Sequence, residues 1–202
     1  MAYDVTLIPG DGIGPEVSSC TQRILEASGV KFSWETAEAG AAVADATGTP
    51  VPDSVLTSVR KNNLALKGPI GTPIGKGFRS VNVTLRKALR LYACLRPVKS
   101  LPGIATRYDD IDLIIVRENT EGEYSGLEHL VVDGVAESLK VITEAASLRI
   151  ADYAFKIATD LKRKRVTAVH KANIMKVTDG LFLSCVNRAA THFPDIKHDQ
   201  VI

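Results

Sequence analysis

Val5-Thr6-Leu7-Ile8-Pro9-Gly10-Asp11-Gly12-Ile13-Gly14-Pro15-Glu16 decides how the rest of this chain is read. Residues 5–8 form a short apolar and β-branched run that fits a strand, and Pro9-Gly10 ends it by removing a backbone N–H and freeing the next turn. Pro15 stands where a helix accepts proline, in its first turn. Val17, Cys20, Ile24 and Ala27 then recur at steps of three or four before Gly29, which predicts a helix with that face turned inward. Strand, tight turn and helix make the first half of a crossover unit, and an α/β protein with a mainly parallel sheet is expected.

The alternation continues outward. Phe32, Trp34 and Thr36 read as a second strand, Val55, Leu56 and Val59 as one face of a helix after Pro52, and residues 64–66 as a strand. Gly68-Pro69-Ile70-Gly71-Thr72-Pro73-Ile74-Gly75-Lys76-Gly77 can continue no regular element and marks a shaped loop. A helix is expected from Ser80 or Asn82 to Leu89, and strands over 91–98 and 112–116. Leu101-Pro102-Gly103 is the best internal boundary. After a loop over 118–126, strands over 130–133 and 135–141 flank Asp133-Gly134, a hairpin signal. Leu148, Ala151, Phe155, Ala158 and Leu161 share one helical face. A strand over 166–170 precedes a last helix from Asp179 that buries Phe182, Cys185, Val186 and Ala189.

With 25 Lys+Arg against 23 Asp+Glu in 202 residues and 45% apolar content, the composition is that of a globular protein with a real core. A net charge of +2 excludes nucleic-acid or membrane-surface binding by bulk charge, so anion recognition must come from placed residues. No apolar run is long enough to span a bilayer. Cys20, Cys94 and Cys185 form no CxxC pair, which fits reduced thiols, and the acidic opening lacks a basic leader region. These features read as cytoplasmic.

Several motifs imitate known sites. Gly10-Asp11-Gly12-Ile13-Gly14, with Glu35 further on, resembles a dinucleotide fingerprint, but Pro15 occupies the place of its third glycine. Gly75-Lys76-Gly77 lacks the first glycine and the hydroxyl residue of a phosphate loop. Cys185, His192 and His198 match no zinc spacing. Lys162-Arg163-Lys164-Arg165 suits a helix C-terminus, and Asp109, Asp110 and Asp112 form an acidic turn.

One constellation remains. Arg79-Ser80-Val81-Asn82-Val83-Thr84-Leu85-Arg86 follows the Gly/Pro loop, Arg96 lies on the next strand, and Arg117 ends another. A helix starting near Ser80 offers free N–H groups to an anion, with Asn82 and Arg86 at i and i+4 on one face. Guanidinium forks bind carboxylates bidentately, so the set suits a polycarboxylate, although any one arginine alone also fits a solvated surface. Tyr124 and Lys171 are of the type that moves protons. Taken separately they fit packing and surface charge equally well, and spacing alone does not join them.

At these residues the chain resembles the isocitrate/isopropylmalate dehydrogenase family, on the side of its NAD-linked isocitrate dehydrogenases. The motifs are residues 8–16, 67–77, 78–87, Leu95-Arg96-Pro97, 117–126 and His170-Lys171-Ala172-Asn173-Ile174-Met175-Lys176, in family order through the whole chain. The resemblance implies a three-layer α/β sandwich. It makes residues 1–98 the first part of a large domain and 99–202 an incomplete small domain, with a clasp hairpin at about 122–143. It assigns Ser80, Asn82, Arg86, Arg96 and Arg117 to substrate carboxylates, Tyr124 and Lys171 to proton transfer, and Thr72 and Asn82 to the nicotinamide of NAD. Mg2+ or Mn2+ is implied as cofactor, with its ligands beyond Ile202, where family members continue. The implied reaction is the oxidative decarboxylation of isocitrate in the tricarboxylic acid cycle, by a homodimer in which Lys171 serves the other subunit. Homoisocitrate and 3-isopropylmalate are the alternative substrates, and a non-catalytic assembly or regulatory module is the alternative role.

Overall fold

A computed structural model of the chain describes residues 2–73, 77, 78 and 80–202. Lys76 of the phosphate-loop comparison and Arg79 of the donor run lie outside the described residues. The chain divides into two compact units, Met1–Arg90 and Leu91–Ile202.

In the first unit β1 (Ala2–Ile8) is central, paired in parallel with β2 (Lys31–Thr36) on one side and β3 (Ala65–Lys67) on the other. α1 (Gly14–Ala27), α2 (Ala41–Thr47), α3 (Asp53–Asn62) and α4 (Val81–Ala88) are the helices of this unit, and α3 packs on β1. Ile8, Val55, Val81 and Leu85 form the core. A polar link runs through it, since Thr6 Oγ1 and Ser58 Oγ share a hydrogen bond of 2.8 Å and Asn62 donates to Thr6 Oγ1 at 3.0 Å. The face expected to bury α1 is overturned: Val17, Cys20, Ile24 and Ala27 are exposed, while Gly14 and Ser18 are buried. Small residues let the helix approach the turn before it, and Ser18 donates to the Pro9 carbonyl at 3.0 Å.

In the second unit β4 (Ala93–Lys99) pairs antiparallel with β5 (Asp112–Glu118) along its whole length, so β4 belongs here. Leu101-Pro102-Gly103 falls in the connection between these two strands. β6 (Gly122–Val132) and β7 (Val135–Val141) make the hairpin. β6 starts earlier than expected, because Gly122 and Gly126, at φ +69° and +65°, sit where the pairing register shifts and bend the strand instead of ending it. α5 (Glu144–Asp160), β8 (Arg165–Val169), α6 (Thr178–Ala190) and β9 (Lys197–Val201) follow, with β8 and β9 parallel. Ala151, Phe155, Ala158, Val186 and Ala189 are the core between α5 and α6. Ile150 is buried where Leu148 was expected to be, and Leu161, past the end of α5, is exposed. Among the described residues no helix is long and apolar enough to cross a membrane.

Candidate functional site

In the first unit the Gly/Pro loop is pinned where it leaves β3. The Gly68 N–H donates to the Ile8 carbonyl at 2.8 Å, and the Asp11 N–H to the Pro69 carbonyl at 2.8 Å. The two turns are so close that a Cβ on Gly68 would stand 1.9 Å from the Pro9 oxygen, and one on Gly10 2.1 Å from the Pro69 oxygen. Of the fingerprint-like glycines, Gly10 and Gly14 are therefore used to pack turn against turn. Asp11 accepts from the Ala41 N–H at 3.2 Å. Glu35 accepts from Lys61 at 2.9 Å and Asn62 at 3.2 Å, bonds that lower its carboxyl to about 2. Its carboxylate is committed to that ion pair.

Ser80 is the N-cap of α4, yet its hydroxyl accepts no N–H of that helix, although a serine there ordinarily bonds the second or third N–H. Val81 and Leu85 anchor α4 in the core, which leaves Asn82 and Arg86 half-buried together on another face. Burial, and then the charge of Arg86, lower the ammonium of Lys67 against the pull of Asp11. Thr72 is exposed on the loop.

In the second unit the β4–β5 register sets Cys94 opposite Arg117 and Arg96 opposite Ile115. Cys94, Arg96 and Arg117 therefore share one face, with the two arginines on a diagonal. Arg117 donates through Nη2 to Asn119 Oδ1 at 2.9 Å, and its guanidinium carbon lies 5.4 Å from the centre of the Tyr124 ring. Its Nε is buried with no hydrogen-bond partner among the described residues. Burial raises the Cys94 thiol, but the hydrogen bond and charge of Arg96, the charge of Arg117 and a bond from Asn119 outweigh it, leaving the thiol below its ordinary range. Sequence reading missed Cys94 and Asn119 as members of this group. Alternation would place Cys94 beside Arg96, but only the strand register places it beside Arg117.

The acidic residues nearby are occupied with the backbone. Glu118 accepts from the Thr120 N–H at 2.7 Å and the Glu121 N–H at 2.8 Å, and Glu121 from the Thr143 N–H at 2.9 Å. Lys171 is exposed, on the turn after β8. Its N–H donates to Asp179 Oδ2 at 2.7 Å, and Lys140 of β7 binds Asp179 Oδ1 at 2.6 Å. Burial raises the Asp179 carboxyl, but these two bonds bring it below the carboxylate range. Arg96, Arg117 and Tyr124 are thus brought together, while Lys171 makes no hydrogen bond or ion pair with them among the described residues. Nor do three His, Cys, Asp or Glu side chains among the described residues come together to hold a metal ion. The described residues do not form a divalent-cation site.

Residues 4–202 match the family described as Isocitrate/isopropylmalate dehydrogenase. The chain is 55% identical over 197 residues, 98% of its length and 53% of the other's, to isocitrate dehydrogenase [NAD] catalytic subunit 5, mitochondrial, of Arabidopsis thaliana. It is 56% identical over 197 residues, 98% of its length and 55% of the other's, to 3-isopropylmalate dehydrogenase, chloroplastic, of Solanum tuberosum. The crystal structure of isocitrate dehydrogenase from Methylococcus capsulatus superposes with a TM-score of 0.94 at 50% identity, covering 99% of this chain and 60% of that one. The chain therefore spans about half the length of the curated relatives it matches. The cytoplasmic expectation is corrected by these relatives, whose names place them in mitochondria and chloroplasts. The chain belongs to the isocitrate/isopropylmalate dehydrogenase family.

Proposed function

We propose that the protein to which these residues belong oxidises isocitrate with NAD and releases carbon dioxide, leaving 2-oxoglutarate. The observation that carries this reading is the shared face of Arg96 and Arg117, with Tyr124 beside Arg117 and a buried Nε still unpartnered. Two guanidiniums there supply bidentate donors for carboxylates, and in the first unit Arg86, Asn82 and the uncapped Ser80 hydroxyl of α4 are donors of the same type. Polar Ser80 and Asn82 at the start of α4 favour a carboxylate over the alkyl group of 3-isopropylmalate, and homoisocitrate is the nearer competitor.

Within this reading Lys171 takes the proton of the substrate hydroxyl as hydride leaves the same carbon. Loss of carbon dioxide then leaves its electron pair on the substrate as an enolate, and the Tyr124 hydroxyl returns a proton to the enolate carbon. NAD supplies the hydride acceptor when bound; the exposed hydroxyl of Thr72 and the half-buried carboxamide of Asn82 are of a type that suits the amide of a nicotinamide. No step is assigned to a metal, because the described residues form no site for one. The exposed apolar side chains of β6 and β7, among them Leu127, Leu130, Val132 and Leu139, support a hairpin that clasps a second copy, with Lys171 serving the partner. The test is steady-state turnover of isocitrate with NAD by a form in which these residues are joined to the remaining length of the family. Binding of isocitrate without turnover would favour the regulatory-module reading.

A further inference from the structure

The turn that follows β5 is built around one side chain. Glu118, the last residue of β5, accepts through Oε2 from the Thr120 N–H at 2.7 Å and the Glu121 N–H at 2.8 Å, and through Oε1 from the Thr120 hydroxyl at 2.5 Å. Its side chain is 18% exposed, and Arg149 of α5 brings Nη2 to 3.6 Å from Oε1. Arg149 in turn lies over the Tyr92 ring, 4.2 Å from its centre, and the Tyr92 carbonyl accepts from the Asn119 N–H at 2.8 Å. The far end of the turn is tied to the same helix, where Glu121 accepts from the N-cap residue Thr143.

Asn119 sits between these anchors, which fix its backbone. Its side chain is what Arg117 bonds: Nη2 donates to Asn119 Oδ1 at 2.9 Å, while Nε is buried with no partner among the described residues. A guanidinium whose Nε bonds nothing takes its direction from its other contacts, here Asn119 and the Tyr124 ring at 5.4 Å. Successive residues of a strand point to opposite faces, so Glu118 turns away from Arg117. Among the described residues no hydrogen bond or ion pair joins the two. The carboxylate can therefore set the fork without becoming its ion-pair partner, and the fork stays available to an anion.

We propose that Glu118 is a positioning residue for Arg117: its carboxylate fixes the turn over 118–121, and Asn119 carries that constraint to the guanidinium. The link to isocitrate rests on the function proposed above, in which Arg117 binds a substrate carboxylate. Loss of the Glu118 carboxylate leaves two N–H groups of the turn without their acceptor, which frees residue 119 and lets the fork swing. The turn needs an acceptor rather than a charge, because one oxygen takes both N–H groups. Glutamine offers that oxygen in the same place. Alanine and methionine offer none.

Two measurements on the full-length form test this inference apart from the functional reading. In crystals of Glu118→Ala without substrate, the Arg117 guanidinium is expected to have left Asn119 Oδ1; a guanidinium still bonded there overturns the inference, whatever the substrate is. In steady-state kinetics with isocitrate and NAD, Glu118→Ala is expected to raise KM about tenfold with kcat within about threefold of the parent, and Glu118→Gln to bring KM back to within about threefold. In an Arg117→Ala background, Glu118→Ala is expected to change kcat/KM by less than about twofold, because a residue acting through the fork has nothing left to move. An unchanged KM in Glu118→Ala, a loss of the same size in both backgrounds, or Glu118→Gln as impaired as Glu118→Ala overturns it. Should Glu118→Ala not fold, Glu118→Met, which keeps the bulk of the side chain, carries the same expectations. Absence of isocitrate turnover by the parent enzyme would sink the functional reading and leave the crystal structure to decide this one.

Discussion

The guanidinium of Arg117 lies 5.4 Å from the centre of the Tyr124 ring while Asn119, itself 5% exposed, accepts from one of its nitrogens. A fork held from both sides presents its remaining N–H groups in a fixed direction. In the complete enzyme Arg117→Lys keeps the charge and loses the fork, and kcat/KM for isocitrate is expected to fall roughly 100-fold, about 3 kcal/mol. Arg96→Ala should cost about 2–5 kcal/mol in the same measure. Tyr124→Phe should lower kcat with little change in KM. Steady-state kinetics on the three variants checks all of these.

Ser80 gives a test that separates binding from folding. A serine N-cap replaced by alanine ordinarily costs about 1 kcal/mol of stability, but here the hydroxyl accepts no N–H from α4. Ser80→Ala is expected to leave the urea midpoint nearly unchanged, within about 0.5 kcal/mol, and to raise KM for isocitrate. A clear loss of stability with an unchanged KM would make Ser80 a structural cap.

Much of the first unit was legible in the sequence because Pro9 and Pro15 restrict the backbone strongly and Gly10 permits the turn between them, at φ +88°. The elements that escaped reading lack such signals. α2, with the sequence Ala-Ala-Val-Ala-Asp-Ala-Thr, has no distinct apolar stripe, and β9, Lys-His-Asp-Gln-Val, has no apolar alternation. β6 was cut short because its glycines read as a loop. Ser80, Asn82, Arg86, Arg96 and Arg117 were read as candidate donors from residue types in a pattern. Cys94, Asn119 and the Lys140–Asp179 pair depend on strand register and long-range contacts, which no local spacing reports.

The Lys140–Asp179 pair ties β7 to the turn that carries Lys171. The Asp179 carboxyl is held below its ordinary range, so its contribution to stability is complete above the unfolded value of about 3.9 and is lost as pH falls through the lower folded value. Asp179→Asn is expected to cost about 1–3 kcal/mol at neutral pH and to flatten the acid limb of stability against pH. Urea denaturation at several pH values below 5 measures both.

Cys94 and Cys185 should differ in reactivity. The arginines beside Cys94 lower its thiol, whereas burial raises that of Cys185. In a Cys20→Ser background at pH 7.5, iodoacetamide is expected to modify Cys94 well before Cys185, because the thiolate is the nucleophile. Arg96→Ala should slow that reaction. Mass spectrometry of timed samples follows both sites.

The most direct measurement is the ratio of kcat/KM for isocitrate to that for 3-isopropylmalate, with NAD, in a full-length form containing these residues. If Ser80 and Asn82 serve a third carboxylate as proposed, a preference for isocitrate of at least 100-fold is expected, because an alkyl group facing them leaves polar donors unpaired. Equal ratios, or a preference for 3-isopropylmalate, would contradict the assignment of these donors to a third carboxylate.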